Sequence, residues 1–186
     1  LQSKLKWPRT FKARIGSTIN TLISSKLPNV GTTIFTTMSA MAAEYHAINL
    51  SQGFPDFSPP KGLLEALQTA IASNKHQYPP MAGIQQLREQ IARKAQKLYG
   101  ANVDFESEVT VTSGATEALF VAIQSIINNG DEVIVFDPAY DAYDPAIALA
   151  GGVTRHVNLD SHFKIDWTIV EQAINKNTRA IIVNSP

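Results

Sequence analysis

Ser113-Gly114-Ala115-Thr116 is the stretch whose residue types and spacing best suit a chemical task. Four β-prone residues, Val109 to Thr112, run into it, and an apolar-periodic segment opens behind it at Glu117. A strand that breaks over Ser-Gly into a helix collects unpaired backbone N–H groups and the positive end of a helix dipole at one point. Such a point holds an anion, most often a phosphate. Ser113 and Thr116 add hydroxyls, and the small side chains let a ligand approach the backbone. The dipole contributes about 0.3–1 kcal/mol for one charge, and ~2 when partly buried. It seats a phosphate without binding it tightly. The stretch has neither the Lys of a G-x-x-x-x-G-K-[ST] loop nor the further glycines of a dinucleotide fingerprint. An ordinary β–α turn capped by Ser or Thr fits these four residues as well, so the neighbouring elements must decide.

Those neighbours alternate. Strand 132–136 leads over Asp137-Pro-Ala-Tyr140 into a short helix near 142–150, stopped by Gly151-Gly152. Strand 153–157 follows, then a turn through Asp160, a helix 167–175 capped by Asp166, and an apolar strand 180–184. Helix 117–128 precedes them, stopped by Asn129-Gly130. Strands alternating with helices imply a mostly parallel sheet with right-handed crossovers. Ligands of such sheets sit outside the carboxyl ends of the strands. Here those ends deliver Ser113–Thr116, Asp137–Tyr140 and Asn184, a phosphate turn, an aromatic ring and an amide. That grouping suits a flat phosphorylated cofactor.

The first half reads differently. Residues 26–60 are irregular, with a helix expected between Thr33 and Tyr45 and a close backbone approach marked by Gly53 before Phe54-Pro55. Pro59-Pro60 opens a helix striped by Leu63, Leu64, Leu67 and Ile71. A loop carrying Tyr78 leads into a second amphipathic helix. Ile84, Leu87, Ile91 and Leu98 face inward, Arg88, Arg93, Lys94 and Lys97 face solvent, and Gly100 ends it.

Composition removes several classes of function. There is no cysteine, so disulfides and thiolate metal sites are excluded. No apolar run is long enough to span a bilayer. The zero net charge conceals an asymmetry: residues 1–43 carry six bases and no acid, whereas from Glu44 onward 16 acids face 10 bases. An acidic body argues against a nucleic-acid surface. His46, His76, His156 and His162 are scattered without metal spacing and read as surface or structural residues. Residues 1–25 form a basic, Ser/Thr-rich extension, either an organelle-targeting segment or sequence upstream of the fold. The second reading is favoured, with a cytoplasmic protein as its corollary.

Several motifs now stand in register: Asn49-Leu-Ser-Gln-Gly-Phe-Pro-Asp-Phe57, Gln77-Tyr78 with Gly83 and Leu87-Arg88, Thr112-Ser-Gly-Ala-Thr-Glu-Ala-Leu119, Gly130-Asp-Glu-Val133, Asp137-Pro-Ala-Tyr-Asp141 and Val183-Asn-Ser-Pro186. In order and spacing they resemble class I/II pyridoxal-phosphate aminotransferases of fold type I, nearest the methionine and kynurenine branch. The resemblance covers residues 26–186. It implies a three-layer α/β/α large domain of which 61–186 is the first part, preceded by an N-terminal arm at 26–60. Gly114, Ala115 and Thr116 would bind the cofactor phosphate, Tyr140 would stack on the pyridine ring, and Asn184 would flank it. Tyr78 would reach the cofactor of a neighbouring subunit in a homodimer, and Gly53 would lie against the substrate carboxylate.

Chains of that family are more than twice as long. The resemblance therefore places the imine-forming Lys, the Asp on the pyridine nitrogen and the Arg for the substrate carboxylate beyond Pro186, so no catalytic residue is expected in this stretch. The implied reaction is amino transfer from a large neutral amino acid, methionine-like, glutamine or aromatic, to a 2-oxo acid. A carbon–sulfur β-lyase shares the same front half, and a non-catalytic module of the fold is the reading from another class.

Overall fold

Val133-Ile134-Val135-Phe136 offers no polar residue to solvent on either face, as expected of a central parallel strand. The computed structural model, which describes residues 24–53 and 55–185, buries all four, leaving each between 0% and 8% exposed. They lie in β1 (Glu132–Asp137), which pairs in parallel with β2 (Val153–Asn158) on one side and β3 (Thr178–Ile182) on the other, giving the order β2-β1-β3. Val135 stands opposite His156 on one side and Ile182 on the other. The protein is thus α/β with a parallel sheet, as the alternation of elements requires.

The elements before the sheet are α1 (Ile34–Glu44), α2 (Lys61–Ala72), α3 (Gln85–Tyr99) and α4 (Gly114–Ile126). Helix α5 (Tyr143–Leu149) crosses between β1 and β2, and α6 (Trp167–Ala173) between β2 and β3. Local signals set most of these ends. Thr33 caps α1 by accepting from the Thr36 N–H at 3.3 Å, and Asp166 caps α6 by accepting from the Thr168 N–H at 2.9 Å. Gly100 closes α3 with its N–H on the Gln96 carbonyl.

Two compact units divide the described residues, Thr32–Ser125 and the sheet-bearing unit that runs from Ile126 onward and includes residues 24–31. In the sheet unit, Ile134, Phe136, Val157 and Val170 form a core joined by Leu159, Ile165 and Ala173. The amino ends of the strands are tied by polar side chains. Asp131 accepts from the Asn128 N–H and from Arg179, and Glu132 accepts from Asn175 and Arg155. These bonds, led by Asn128 and Asn175 respectively, hold both carboxyls below their ordinary range.

In the unit Thr32–Ser125 three expectations are corrected. Val109–Thr112 belongs to no ladder among the described residues; the backbone bond that ties it to an earlier segment is the Val111 N–H to the Ala82 carbonyl at 3.0 Å. β-propensity made this segment extended, but a strand also needs a neighbour. The stripes of α2 and α3 are not buried: Leu63, Leu64, Leu67 and Ile71 stay 41–61% exposed, and Ile84, Leu87, Ile91 and Leu98 39–56%. Periodicity fixes which face is apolar, not what covers it. Arg88, read as solvated, instead donates through Nη1 to the carbonyl of Phe105 at 2.8 Å, and its Nε is buried. The expected extension over 1–25 lies, through residue 23, outside the described residues.

Candidate active site

The first turn of α4 is built by Gly114, whose φ of +83° swings the chain from the extended 109–112 segment into the helix. A Cβ added at Gly114 meets nothing within 4 Å, so the glycine is required by conformation and not by crowding. Thr112 Oγ1 donates to the Gly114 carbonyl at 2.9 Å, and the Gly114 N–H returns to the Thr112 carbonyl at 2.8 Å. Glu117 reaches back to accept from the Ser113 N–H. Helix geometry leaves the N–H groups of Ala115 and Thr116 without intrahelical acceptors, and neither donates to any other described residue. All four turn residues, Ser113 to Thr116, are exposed. Two N–H donors and the positive end of the helix dipole are therefore left open on an exposed turn that also carries the Thr116 hydroxyl, a donor set that fits a phosphate.

In the sheet unit, the carboxyl ends of the strands enclose a concavity of about 240 Å³ lined by Phe136, Pro138, Tyr143, Leu159, Ile182 and Asn184. Asn184 thus lies at the edge where ligands of parallel sheets bind. Tyr140, 42% exposed, sets its ring edge-to-face with Tyr143, with centroids 5.7 Å apart and planes at 76°. The buried Tyr143 thereby joins Tyr140 to the wall of this concavity. The sequence reading missed Tyr143, although the repeat Tyr140-Asp-Ala-Tyr143 was visible. The apolar lining and open tyrosine ring fit the ring portion of a flat cofactor.

The remaining expected residues stand apart. Tyr78 is fully exposed, at 101%. Gly53 follows a turn in which Asn49 accepts from the Ser51 N–H at 3.0 Å and donates to Ser39 of α1 at 3.0 Å. A Cβ at Gly53 would meet nothing within 4 Å, so the close backbone approach expected there is not made by any described residue. Phe54, the residue after Gly53, lies outside the described residues. A concavity of about 480 Å³ lies near this segment, lined by Met38, Met41, Tyr45, Ile48 and Leu50; the sequence did not signal it.

Among the described residues a lysine stands three positions after a serine twice, at Ser58–Lys61 and Ser161–Lys164. Lys61 begins α2 and pairs with Glu65 at 3.4 Å. Lys164 sits in the turn after β2, where its backbone closes on Asp160. No group of three or more His, Cys, Asp or Glu able to hold a metal ion occurs among the described residues.

A parallel α/β sheet with an aromatic platform at its strand ends and, taken separately, a helix N-terminus opened for phosphate are each features of α/β proteins that hold phosphorylated cofactors. The chain belongs to the class I and II aminotransferase family, whose model matches residues 45–186; the cofactor of that family is pyridoxal 5′-phosphate. It is 53% identical over 171 residues to the methionine aminotransferase of Escherichia coli, covering 91% of this chain and 44% of that protein. It is 42% identical over 165 residues to a probable N-succinyldiaminopimelate aminotransferase of Mycobacterium tuberculosis, covering 87% and 42%. The solved structure of YbdL from Escherichia coli, reported with a methionine aminotransferase function, superposes with a TM-score of 0.81 at 52% identity, covering 86% and 42%. The chain spans less than half the length of the relatives it matches.

Proposed function

We propose that the protein containing this chain transfers an amino group from a large neutral amino acid, methionine-like, glutamine or aromatic, to a 2-oxo acid with the help of pyridoxal 5′-phosphate. Membership of the aminotransferase family supports the reaction type, and 53% identity to a methionine aminotransferase supports the substrate class. The observation that carries the site is the pair of open N–H groups at Ala115 and Thr116 behind the positive φ of Gly114.

When bound, the cofactor supplies an electron sink for the substrate Cα. The chain's own residues hold and orient it. Ala115 and Thr116 donate to the phosphate, with Gly114 shaping the turn, and the α4 dipole favours its charge. Tyr140 covers the ring with its face, backed by Tyr143. Asn184 presents an amide from the end of β3, and Gly53 leaves room for the substrate carboxylate. Residues 26–60 serve as the N-terminal arm and 61–186 as the first part of the cofactor-binding domain. The exposed Tyr78 reaches the cofactor of a second subunit in a homodimer, and the protein works in the cytoplasm. Among the described residues no helix is long and apolar enough to cross a membrane.

The test is cofactor retention and substrate profile in the full-length protein. Tyr140→Ala is expected to weaken pyridoxal phosphate binding more than Tyr140→Phe, because a ring face and not a hydroxyl is used. Equal losses would remove the stacking role. Faster turnover of acidic than of large neutral amino acids would overturn the substrate class.

A further inference from the structure

Tyr140 sits on a short connection, residues 138–142, between β1 and α5. Asp137 is the last residue of β1, and Asp144 is the second residue of α5. One side chain from the neighbouring strand touches both. His156 of β2 places Nδ1 3.0 Å from the Asp137 carboxylate and Nε2 3.4 Å from Asp144 Oδ2. A carboxylate only accepts, so each ring nitrogen faces an acceptor, and the imidazole spans the two ends of the loop. Among the described residues no side-chain hydrogen bond reaches residues 138–142 themselves. The loop is held from within by the Tyr143 N–H on the Tyr140 carbonyl at 3.2 Å and by the edge contact of the two rings. The charged neighbours of His156 on its own strand and on the strand beside it are otherwise engaged, since Arg155 pairs with Glu132 at 3.1 Å.

We propose that His156 is a positioning residue for Tyr140: by bridging Asp137 and Asp144 it clips shut the loop that presents the tyrosine ring to the cofactor. The inference rests on the assignment of Tyr140 as the ring's cover. It adds a residue 16 positions downstream of that tyrosine and on a different strand. Without the imidazole, two carboxylates flank the loop with no donor between them, and like charges so placed push its ends apart. The clip is half-exposed, so its influence is modest, about two- to ten-fold on cofactor affinity for two such contacts together.

The experiment uses the full-length protein and two readouts. Peptide-resolved amide hydrogen exchange is measured without cofactor, and pyridoxal phosphate affinity is measured by spectroscopic titration. His156→Ala is expected to speed exchange across 138–143 and to weaken the cofactor about two- to ten-fold. In the Tyr140→Ala background the same change is expected to add little to the affinity loss, because the residue it positions is gone. An equal additional loss in that background overturns the proposal, as does loop exchange that is unchanged in His156→Ala. If His156→Ala does not fold, Asp144→Ala at an exposed side chain removes the acceptor from one half of the clip and must show the same loop-confined exchange; failure to show it overturns the proposal. If Tyr140→Ala alone leaves cofactor binding intact, the assignment of Tyr140 fails and the proposal falls with it, while the exchange result still reports whether the clip exists.

Discussion

Replacing Gly114 by alanine isolates what the phosphate turn owes to backbone conformation. The φ of +83° lies where a Cβ is disfavoured, yet the added methyl group would enter open space, with no atom within 4 Å. Any penalty therefore comes from the backbone alone, about 1–2 kcal/mol for a residue with a Cβ. That energy has two exits. If the Gly114→Ala variant keeps the turn, the folded state is destabilised by that amount. If the turn relaxes to negative φ, the Ala115 and Thr116 N–H groups swing away and cofactor affinity falls about 5- to 30-fold, at tenfold per 1.4 kcal/mol. Denaturant unfolding without cofactor reads the first loss, and spectroscopic titration with pyridoxal phosphate reads the second. The two losses are expected to sum to about 1–2 kcal/mol. Asparagine tolerates positive φ better than alanine, so Gly114→Asn should recover part of it. Wild-type stability together with wild-type affinity in Gly114→Ala would refute the reasoning, and so would Gly114→Asn behaving worse than Gly114→Ala.

Gly152 presents the opposite case. A Cβ there would stand 2.7 Å from Ile127 Cγ2, 3.0 Å from Ile147 Cγ2 and 3.2 Å from the Asp131 carbonyl. Gly152→Ala should lower stability by about 1–3 kcal/mol through overpacking, read as a shift in urea midpoint, and the shift should be smaller when the same change is made in an Ile127→Ala background; an unshifted midpoint in the otherwise wild-type protein would contradict the contact. Asp131 and Glu132 have folded-state pKa values below their unfolded ones. Their contribution is therefore complete above about pH 4–5, the unfolded carboxylate range, and is lost as pH falls through the lower folded values. The wild-type melting temperature should drop more steeply toward pH 3 than that of the Asp131→Asn/Glu132→Gln variant; parallel profiles would remove these two groups as the cause. Mixing a Tyr78→Ala subunit with one lacking the imine-forming lysine should restore partial activity in heterodimers; no restoration in heterodimers shown to form would take Tyr78 out of a shared site.

The sequence alone determined what depends on neighbours a few positions apart. Thr33 and Asp166 cap their helices because a side-chain oxygen reaches an N–H two or three residues on. The run Val133–Phe136 has to be buried on both faces because it carries nothing polar for either. The Ser113–Thr116 turn could be read as an anion seat because its donors come from four consecutive residues. Relations between distant segments were decided only by the tertiary structure. Val109–Thr112 has strand composition, but among the described residues it found a loop carbonyl and no ladder. Arg88 sat on a helical face that looked solvated until the 105–106 carbonyls closed over it. His156 carried no signal as one of four scattered histidines. It meets Asp137 and Asp144 because the parallel register sets Val135 opposite it and the β1–α5 crossover returns over β2. A capping bond is specified by spacing along the chain, whereas a contact across strands is specified by register, which no short window of sequence contains.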